Sequence, residues 1–379
     1  MGAGNNRRAH RDFRTMTLPL HRYFEDFLHD IRPTPSQIKE MREGHARLRE
    51  RLQADTALAG GFVSMFLQGS YRRFTAVRPK DDSRADVDLV VVTKMKESEF
   101  SPAQAMSCFK PFLERHYKGK YRQQGRSFGI EMSRIDMDLV ITAAPMEAEA
   151  GTYGELLKAE ASLSSLRLDE DFSSEPLFKS DRQEEALWKL HPLRIPDRDL
   201  GAWQDTHPLA QLSWTHRKND RCGRHFVNVV KALKWWRLVH LESLPKRPKS
   251  YPLEHLLGDC CPDGIDSIAE GVVRTLEAFV DNYALHAAAK IVPSAEDRGV
   301  KQDVMARIDG NDFAAFHEQA KKAAKLARKA FESPDAQTAA PLWRELFGGK
   351  FPSAPEGGSK KSFTPHEGGS GGVDSGRFA

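Results

Sequence analysis

Long apolar runs are missing from this 379-residue chain. No stretch approaches the roughly 20 apolar residues that a membrane-spanning helix needs, so no membrane partner is expected. A secretory core is missing too: Met1 to Thr17 is polar and Arg-rich. Cysteine is scarce, with four residues at Cys108, Cys222, Cys260 and Cys261. Adjacent cysteines rarely pair with each other, so a disulfide framework is excluded and the reducing cytoplasm is the expected location. No cysteine follows His255 and Cys260-Cys261, and Cys222 belongs to another element. A structural zinc site wants four ligands at compact spacing, so zinc is not expected. Extreme charge is lacking as well: 57 Lys and Arg against 53 Asp and Glu leave +4. That excludes a dedicated nucleic-acid packer and suits a protein that handles small anions. What is present is an apolar content of 40%, enough for one large or two medium domains.

The organising stretch runs from Phe62 to Thr93. The apolar run Phe62 to Leu67 predicts a buried strand. It ends at Gly69-Ser70, which reads as a small-residue turn. There a Gly lets backbone N–H groups approach a phosphate and the Ser hydroxyl adds a donor. After a charged connection, Asp86-Val87-Asp88 opens a second apolar strand. Alternation along a strand puts Asp86 and Asp88 on one face. Two such carboxylates repel, and a hard divalent cation removes the repulsion. A lone pair of alternating acids is weak evidence, since many strands carry two solvated acids. The ordered set of strand, Gly-Ser, basic spacer, acid pair and strand is specific.

That set, with Thr75 and Arg78-Pro79, resembles the signature of polymerase-β-type nucleotidyltransferases. Within them it is most similar to the bacterial relatives of cyclic GMP–AMP synthase and oligoadenylate synthase, the CD-NTase cyclic-oligonucleotide synthases of anti-phage defence. The resemblance covers about Leu18 to Pro352, including the closing Trp343…Phe347-Gly348…Phe351-Pro352 segment. It implies an α+β fold: a polymerase-β-like lobe with a mixed twisted sheet, a C-terminal helical lobe and a long N-terminal spine helix. It implies a Mg²⁺-dependent enzyme, with Mn²⁺ able to substitute, that makes a cyclic di- or trinucleotide from NTPs. The same acids would serve a linear nucleotidyltransferase, and an inactive nucleotide-binding scaffold is the remaining alternative. A downstream effector would bind the product. Without a zinc loop, no double-stranded DNA activator is expected.

Four segments follow: a disordered 1–17, a catalytic lobe with the spine over 18–205, a helical lobe over 206–352 and a Gly/Ser-rich tail over 353–379. The resemblance makes that tail a candidate for a ubiquitin-like conjugation partner. In the catalytic lobe, apolar spacing predicts a helix over Leu18 to Ile31 and a second, capped by Thr34, to about Ala54. A helix is predicted over Ala103 to Tyr117, then a solvated basic loop with Lys118, Lys120, Arg122 and Arg126. Ser127 to Met132 and Ile135 to Thr142 read as paired strands. Glu147 to Ala161 has helical composition, Ser162 to Asp181 reads as a surface loop, and Gly201 to Pro208 as the crossing between lobes.

The chemistry needs a third carboxylate, because two metal ions clamp the attacking and leaving oxygens of an in-line displacement. Asp136 and Asp138 share a face. The family pattern of apolar residues around an Asp, then a small residue or Pro, favours Asp138, with Asp136 as its rival. In the helical lobe, Phe226 to Glu242 predicts a helix. Lys234, before Trp235, resembles the family lysine that reaches the triphosphate, and Lys231 is a weaker candidate. An isolated lysine of this kind otherwise snorkels to the surface. Ser250 resembles a family triphosphate donor and Tyr251 a ring that stacks on the base. Their plainer reading is a helix cap and a core residue. An Ala/Lys-rich helix is predicted over Arg307 to Phe331, docked by Phe313, Phe316 and Leu326.

Overall fold

The computed structural model describes residues 18–80, 83–143 and 191–354. The N-terminal segment, the stretches expected as a helix over Glu147–Ala161 and a loop over Ser162–Asp181, and the tail beyond 354 lie outside the described residues.

The chain opens with α1 (Leu18–Ile31) and α2 (Pro35–Ala54). Thr34 caps α2 as expected, accepting from the Gln37 N–H while the Gln37 side chain accepts from the Thr34 N–H. Strand β1 (Phe62–Gln68) leads into a single turn, α3 (Gly69–Arg72), and then β2 (Ala85–Thr93). Gly69-Ser70 is therefore the start of a helical turn rather than a loop turn. The helix expected over Ala103–Tyr117 is two pieces, α4 (Pro102–Ser107) and α5 (Lys110–Tyr117). Pro111 explains the break, since it has no N–H for the carbonyl four residues back and its ring collides with that turn.

Next come β3 (Tyr121–Gln123), β4 (Phe128–Glu131) and β5 (Ile135–Ala143). The supposed basic loop is thus partly a strand. A hairpin the sequence did not reveal follows, β6 (Leu193–Asp197) and β7 (Ala202–Thr206), with Gly201 at φ +64° in its turn. Residues read as the crossing between lobes belong to the sheet. Pro196 weakens the strand pattern, and β7 pairs only with β6 at the edge.

Among the described residues the sheet has seven strands in the order β1-β2-β5-β4-β3, with β6 joined to the end of β5. Among the described strands β2 and β5 pair in parallel and the other pairs are antiparallel. Alternation decides what each face holds. Val87, Leu89 and Val91 of β2 and Met137, Leu139 and Ile141 of β5 pack under Met41, Leu48 and Leu52 of α2 and Phe112 and Leu113 of α5. The opposite face carries Phe66, Val90 and Val92 against Leu193 at one end. At its other end it carries the four acids.

Helices α6 (Pro208–Arg221), α7 (Phe226–Val239), α8 (Ser250–Cys260), α9 (Ile268–Asn282), α10 (Ala284–Ala289), α11 (Gly310–Phe331) and α12 (Ala336–Phe347) build the second lobe. Phe313 and Phe316 of α11 are buried in it and Leu326 is partly buried. Helix α1 joins this core and not the sheet. Phe27 stacks on Phe347 at 4.6 Å, and Phe24 meets Trp343 edge-on at 5.0 Å. By contact, α1 belongs to the helical lobe and α2 to the sheet, so the pair ties the lobes together.

Candidate active site

The parallel register of β2 and β5 sets Asp86 beside Asp136 and Asp88 beside Asp138. All four carboxylates leave one face, at the end of the sheet turned toward the helical lobe. Their surroundings separate them. Asp136 lies 3.4 Å from Arg84 and 3.9 Å from Arg122, which also reach Glu131. Asp138 instead accepts a hydrogen bond from Gln124 Nε2 at 3.0 Å. Gly129, opposite Asp138 on β4, makes room for this: a Cβ there would lie 2.9 Å from Gln124 Nε2.

The ionised forms of three of these acids are disfavoured. Burial, then the charges of Asp88 and Asp86, pushes the Asp138 carboxyl up to about 6. Burial raises Asp88, helped by Asp86 and opposed by Arg73. Burial and the neighbouring Asp136 raise Asp86. Among the described residues, no three His, Cys, Asp or Glu side chains are gathered into a ready-made metal site. The three acids share a face, and the charges of Asp86 and Asp88 repel that of Asp138. Their donors are all carboxylate oxygens, the set that hard divalent cations take, so the residues fit such an ion.

Gly69 is required where it stands. Its φ is +71°, and a Cβ built on it would lie 1.8 Å from Asp88 Oδ2. Gly69→Ala is expected to displace the Asp88 carboxylate and to add about 1–2 kcal/mol of backbone strain. Activity should fall by about a hundredfold or more while the far-ultraviolet circular dichroism spectrum stays unchanged. Ser70, on the same turn, is half-buried and its carbonyl accepts from the Thr75 N–H at 2.9 Å.

A buried ionic hub joins the lobes behind the acids. Glu254 of α8 receives Arg73 Nε at 3.1 Å, Thr75 Oγ1 at 3.0 Å and Lys234 Nζ at 2.9 Å. Lys234 Nζ also donates to the Thr75 carbonyl at 3.0 Å. Burial opposes the charge of Glu254, but Arg73 and Lys234 outweigh it and hold the carboxyl down to about 2. Lys234 does not snorkel: its ammonium is engaged by this hub, and its charge still reaches Asp86 and Asp88. Lys231, one helical turn earlier, is also buried.

Ser250 is exposed at the first position of α8. The cap position is Lys249, without a side-chain cap bond, so the expected Ser250 cap is not formed. Tyr251 is half-buried and lines a cleft with Arg73, Gln211, Trp214 and Glu254. The Arg73 guanidinium lies 5.4 Å from the centre of its ring. Cys222 lies within 3.9 Å of Cys261 although the two belong to different elements.

Sequence reasoning passed over Arg73, Gln124 and Glu254. Arg73 is three residues past Ser70, and Glu254 closes the stretch Ser250-Tyr-Pro-Leu-Glu. Nothing local marks either as a partner of the other.

The family model of the Second Messenger Oligonucleotide or Dinucleotide Synthetase domain matches residues 16–151. The "Cyclic AMP-AMP-GMP synthase" of Enterobacter hormaechei subsp. hoffmannii (strain UCI 50) is 43% identical over 361 residues, covering 90% of this chain and 95% of that protein. The chain belongs to the CD-NTase family. It is thereby a nucleotidyltransferase of a divalent-metal-dependent class. A more distant relative, the "Cyclic AMP-AMP-AMP synthase" of Acinetobacter sp. (strain ATCC 27244 / 9458), is 28% identical over 87% of this chain and 84% of its own length. Among solved CD-NTases, Bradyrhizobium diazoefficiens CdnG in complex with GTP superposes with a TM-score of 0.63 at 12% identity, covering 87% of this chain and 95% of CdnG. Escherichia coli MS115-1 CdnC + ATP gives 0.60 at 17% identity, over 88% of this chain and 99% of CdnC. These structures share the expected fold of sheet lobe and helical lobe.

Proposed function

We propose that this CD-NTase joins ATP and GTP into a cyclic di- or trinucleotide second messenger of anti-phage defence, using Mg²⁺, with Mn²⁺ able to replace it. The observation that supports this reading is the β2/β5 register, which sets Asp86, Asp88 and Asp138 side by side on one face of the sheet. The names of two relatives, cyclic AMP-AMP-GMP synthases at 43% and 44% identity, favour adenine and guanine nucleotides.

A ribose hydroxyl of one nucleotide attacks the α-phosphorus of the other, pyrophosphate leaves with the broken P–O bond, and a later attack closes the ring. Cations held by Asp86, Asp88 and Asp138 would neutralise phosphate charge and lower the pKa of the attacking hydroxyl. Asp86 and Asp88 form the shared anchor. Asp138 is favoured over Asp136 as the third ligand, because arginines already pair with Asp136, whereas Asp138 accepts from the neutral Gln124 amide. Gly69 keeps the anchor's flank open, and Ser70 is its hydroxyl donor to the triphosphate. Lys234 supplies positive potential from the hub, Ser250 stands exposed near the cleft as a second donor, and Tyr251 offers a ring for the base. Positioning and charge neutralisation supply most of the rate. The product would act through a downstream effector, and the tail over 353–379 would be the point of ubiquitin-like conjugation.

The test is mass spectrometry of products from purified protein with ATP, GTP and Mg²⁺. A cyclic product has lost every triphosphate; a product that keeps one makes this a linear transferase. Asp138→Asn is expected to lower product formation by about a hundredfold or more. Asp136→Asn should change it only a few-fold, and the reverse order would transfer the third-ligand role to Asp136.

A further inference from the structure

A turn at the edge of the sheet holds the third acid. Residues 124–127 join β3 to β4, and the Gln124 N–H closes this turn on the Ser127 carbonyl at 2.9 Å. The Gln124 side chain reaches across β4 and donates from Nε2 to Asp138 Oδ1 at 3.0 Å. Gly129 is the gap it crosses. A Cβ there would lie 2.9 Å from Gln124 Nε2 and 3.1 Å from Arg122 Nε, so both side chains lie over bare backbone. Ser127 is buried, and its hydroxyl donates to Gln124 Oε1 at 3.2 Å.

An ionised carboxylate only accepts hydrogen bonds, so the NH₂ end of Gln124 must face Asp138. Its carbonyl end then faces Ser127, whose hydroxyl can donate to it. The sense of the amide is fixed from both sides. Gln124 occupies one oxygen of Asp138 and leaves the other for a ligand. Being neutral, it does so without pairing the charge, as Arg84 and Arg122 do at Asp136.

The turn is pinned in its own right. Arg126 pairs with Asp197, a buried acid at the end of β6. The Arg198 N–H donates to the Gly125 carbonyl at 3.0 Å. Asp197 is itself fixed by the N–H groups of Asp199 and Leu200, both at 3.0 Å. The β6–β7 hairpin thus clamps the turn from which Gln124 reaches the acid.

We propose that Gln124 is a positioning residue for the third metal ligand: held by Ser127 and by the clamp on its turn, it fixes the Asp138 carboxylate in the orientation that takes a cation. Hydrogen-bond partners of this kind orient ligating side chains, and their loss costs about 10–100-fold in metal affinity. The inference rests on the reading of Asp138 as a metal ligand.

Gln124→Met removes the donor at similar volume, and Ser127→Ala frees the amide to turn. The full-length protein, with one equivalent of a non-hydrolysable ATP analogue, is titrated with Mn²⁺. Free Mn²⁺ is read by electron paramagnetic resonance, with thermal melting as the folding control. Asp138→Asn identifies the ion that depends on Asp138. Gln124→Met is expected to weaken that ion's binding about tenfold, and Ser127→Ala about threefold. Consumption of ATP and GTP should fall in step and recover as Mn²⁺ is raised, whereas a merely structural defect would not respond to the metal. Wild-type Mn²⁺ affinity in either folded variant overturns the inference alone. An Asp138→Asn variant that binds Mn²⁺ like wild type overturns the reading of Asp138 and the inference with it.

Discussion

Replacing Asp88 by Asn is expected to lower nucleotide consumption by about a thousandfold and to leave the melting temperature unchanged or higher. The two effects have opposite signs for one reason. Asp88 is half-buried and lies beside Asp86, so desolvation raises its carboxyl above the usual range despite Arg73, with Asp86 adding to it. A raised carboxyl is one whose charge the fold penalises at neutral pH. Removing that charge relieves the sheet and also relieves Asp138, whose carboxyl at about 6 is raised in part by Asp88. The same charge is what anchors a cation against the nucleotide. Activity assays beside differential scanning calorimetry check both halves. A variant that loses several degrees of melting temperature would mean that Asp88 holds the fold together and that the activity loss is secondary.

Glu254→Gln should do the opposite and destabilise strongly. Glu254 is buried and neutralises Arg73 and Lys234, each of them buried too. A glutamine keeps the shape but leaves two buried cations without their counter-charge. Breaking a buried pair in this way costs about 3–5 kcal/mol, which corresponds to a melting temperature lower by about 10 °C. Because Arg73 belongs to the sheet lobe and Glu254 to the helical lobe, activity should fall with stability. The pH dependence has a definite sign. The Glu254 carboxyl is held down to about 2, against an ordinary value of 4.5. A depressed carboxyl contributes stability that is complete above the ordinary value and fades as pH falls from there through about 2. The gap in melting temperature between wild type and Glu254→Gln should therefore be widest near neutrality and narrow below about pH 4.5. A gap that stays constant across that window would contradict the charge-based account.

How far the sequence reached is visible residue by residue. Alternation along Asp86-Val87-Asp88 and along Ile135 to Thr142 already placed two acids per strand on one face, because side-chain parity is a property of the strand itself. The Thr34 capping box was equally local: Thr34 and Gln37 lie within one turn. Breaks inside periodic segments were less legible. Pro111 divides a helix whose composition runs on through it, and Pro196 masks a strand at the sheet edge.

What the chain determined alone was therefore the chemistry on offer: alternating acids, a glycine before them, an apolar framework around both, and a family signature in the order of those parts. Only the tertiary structure decided which acids become neighbours, since the β2/β5 register is fixed by packing between strands about fifty residues apart. Only it placed Glu254 between Arg73 and Lys234, and Asp197 against Arg126. Those partners come from distant segments. Buried charges have to find partners wherever folding brings them together, and no local pattern records that choice.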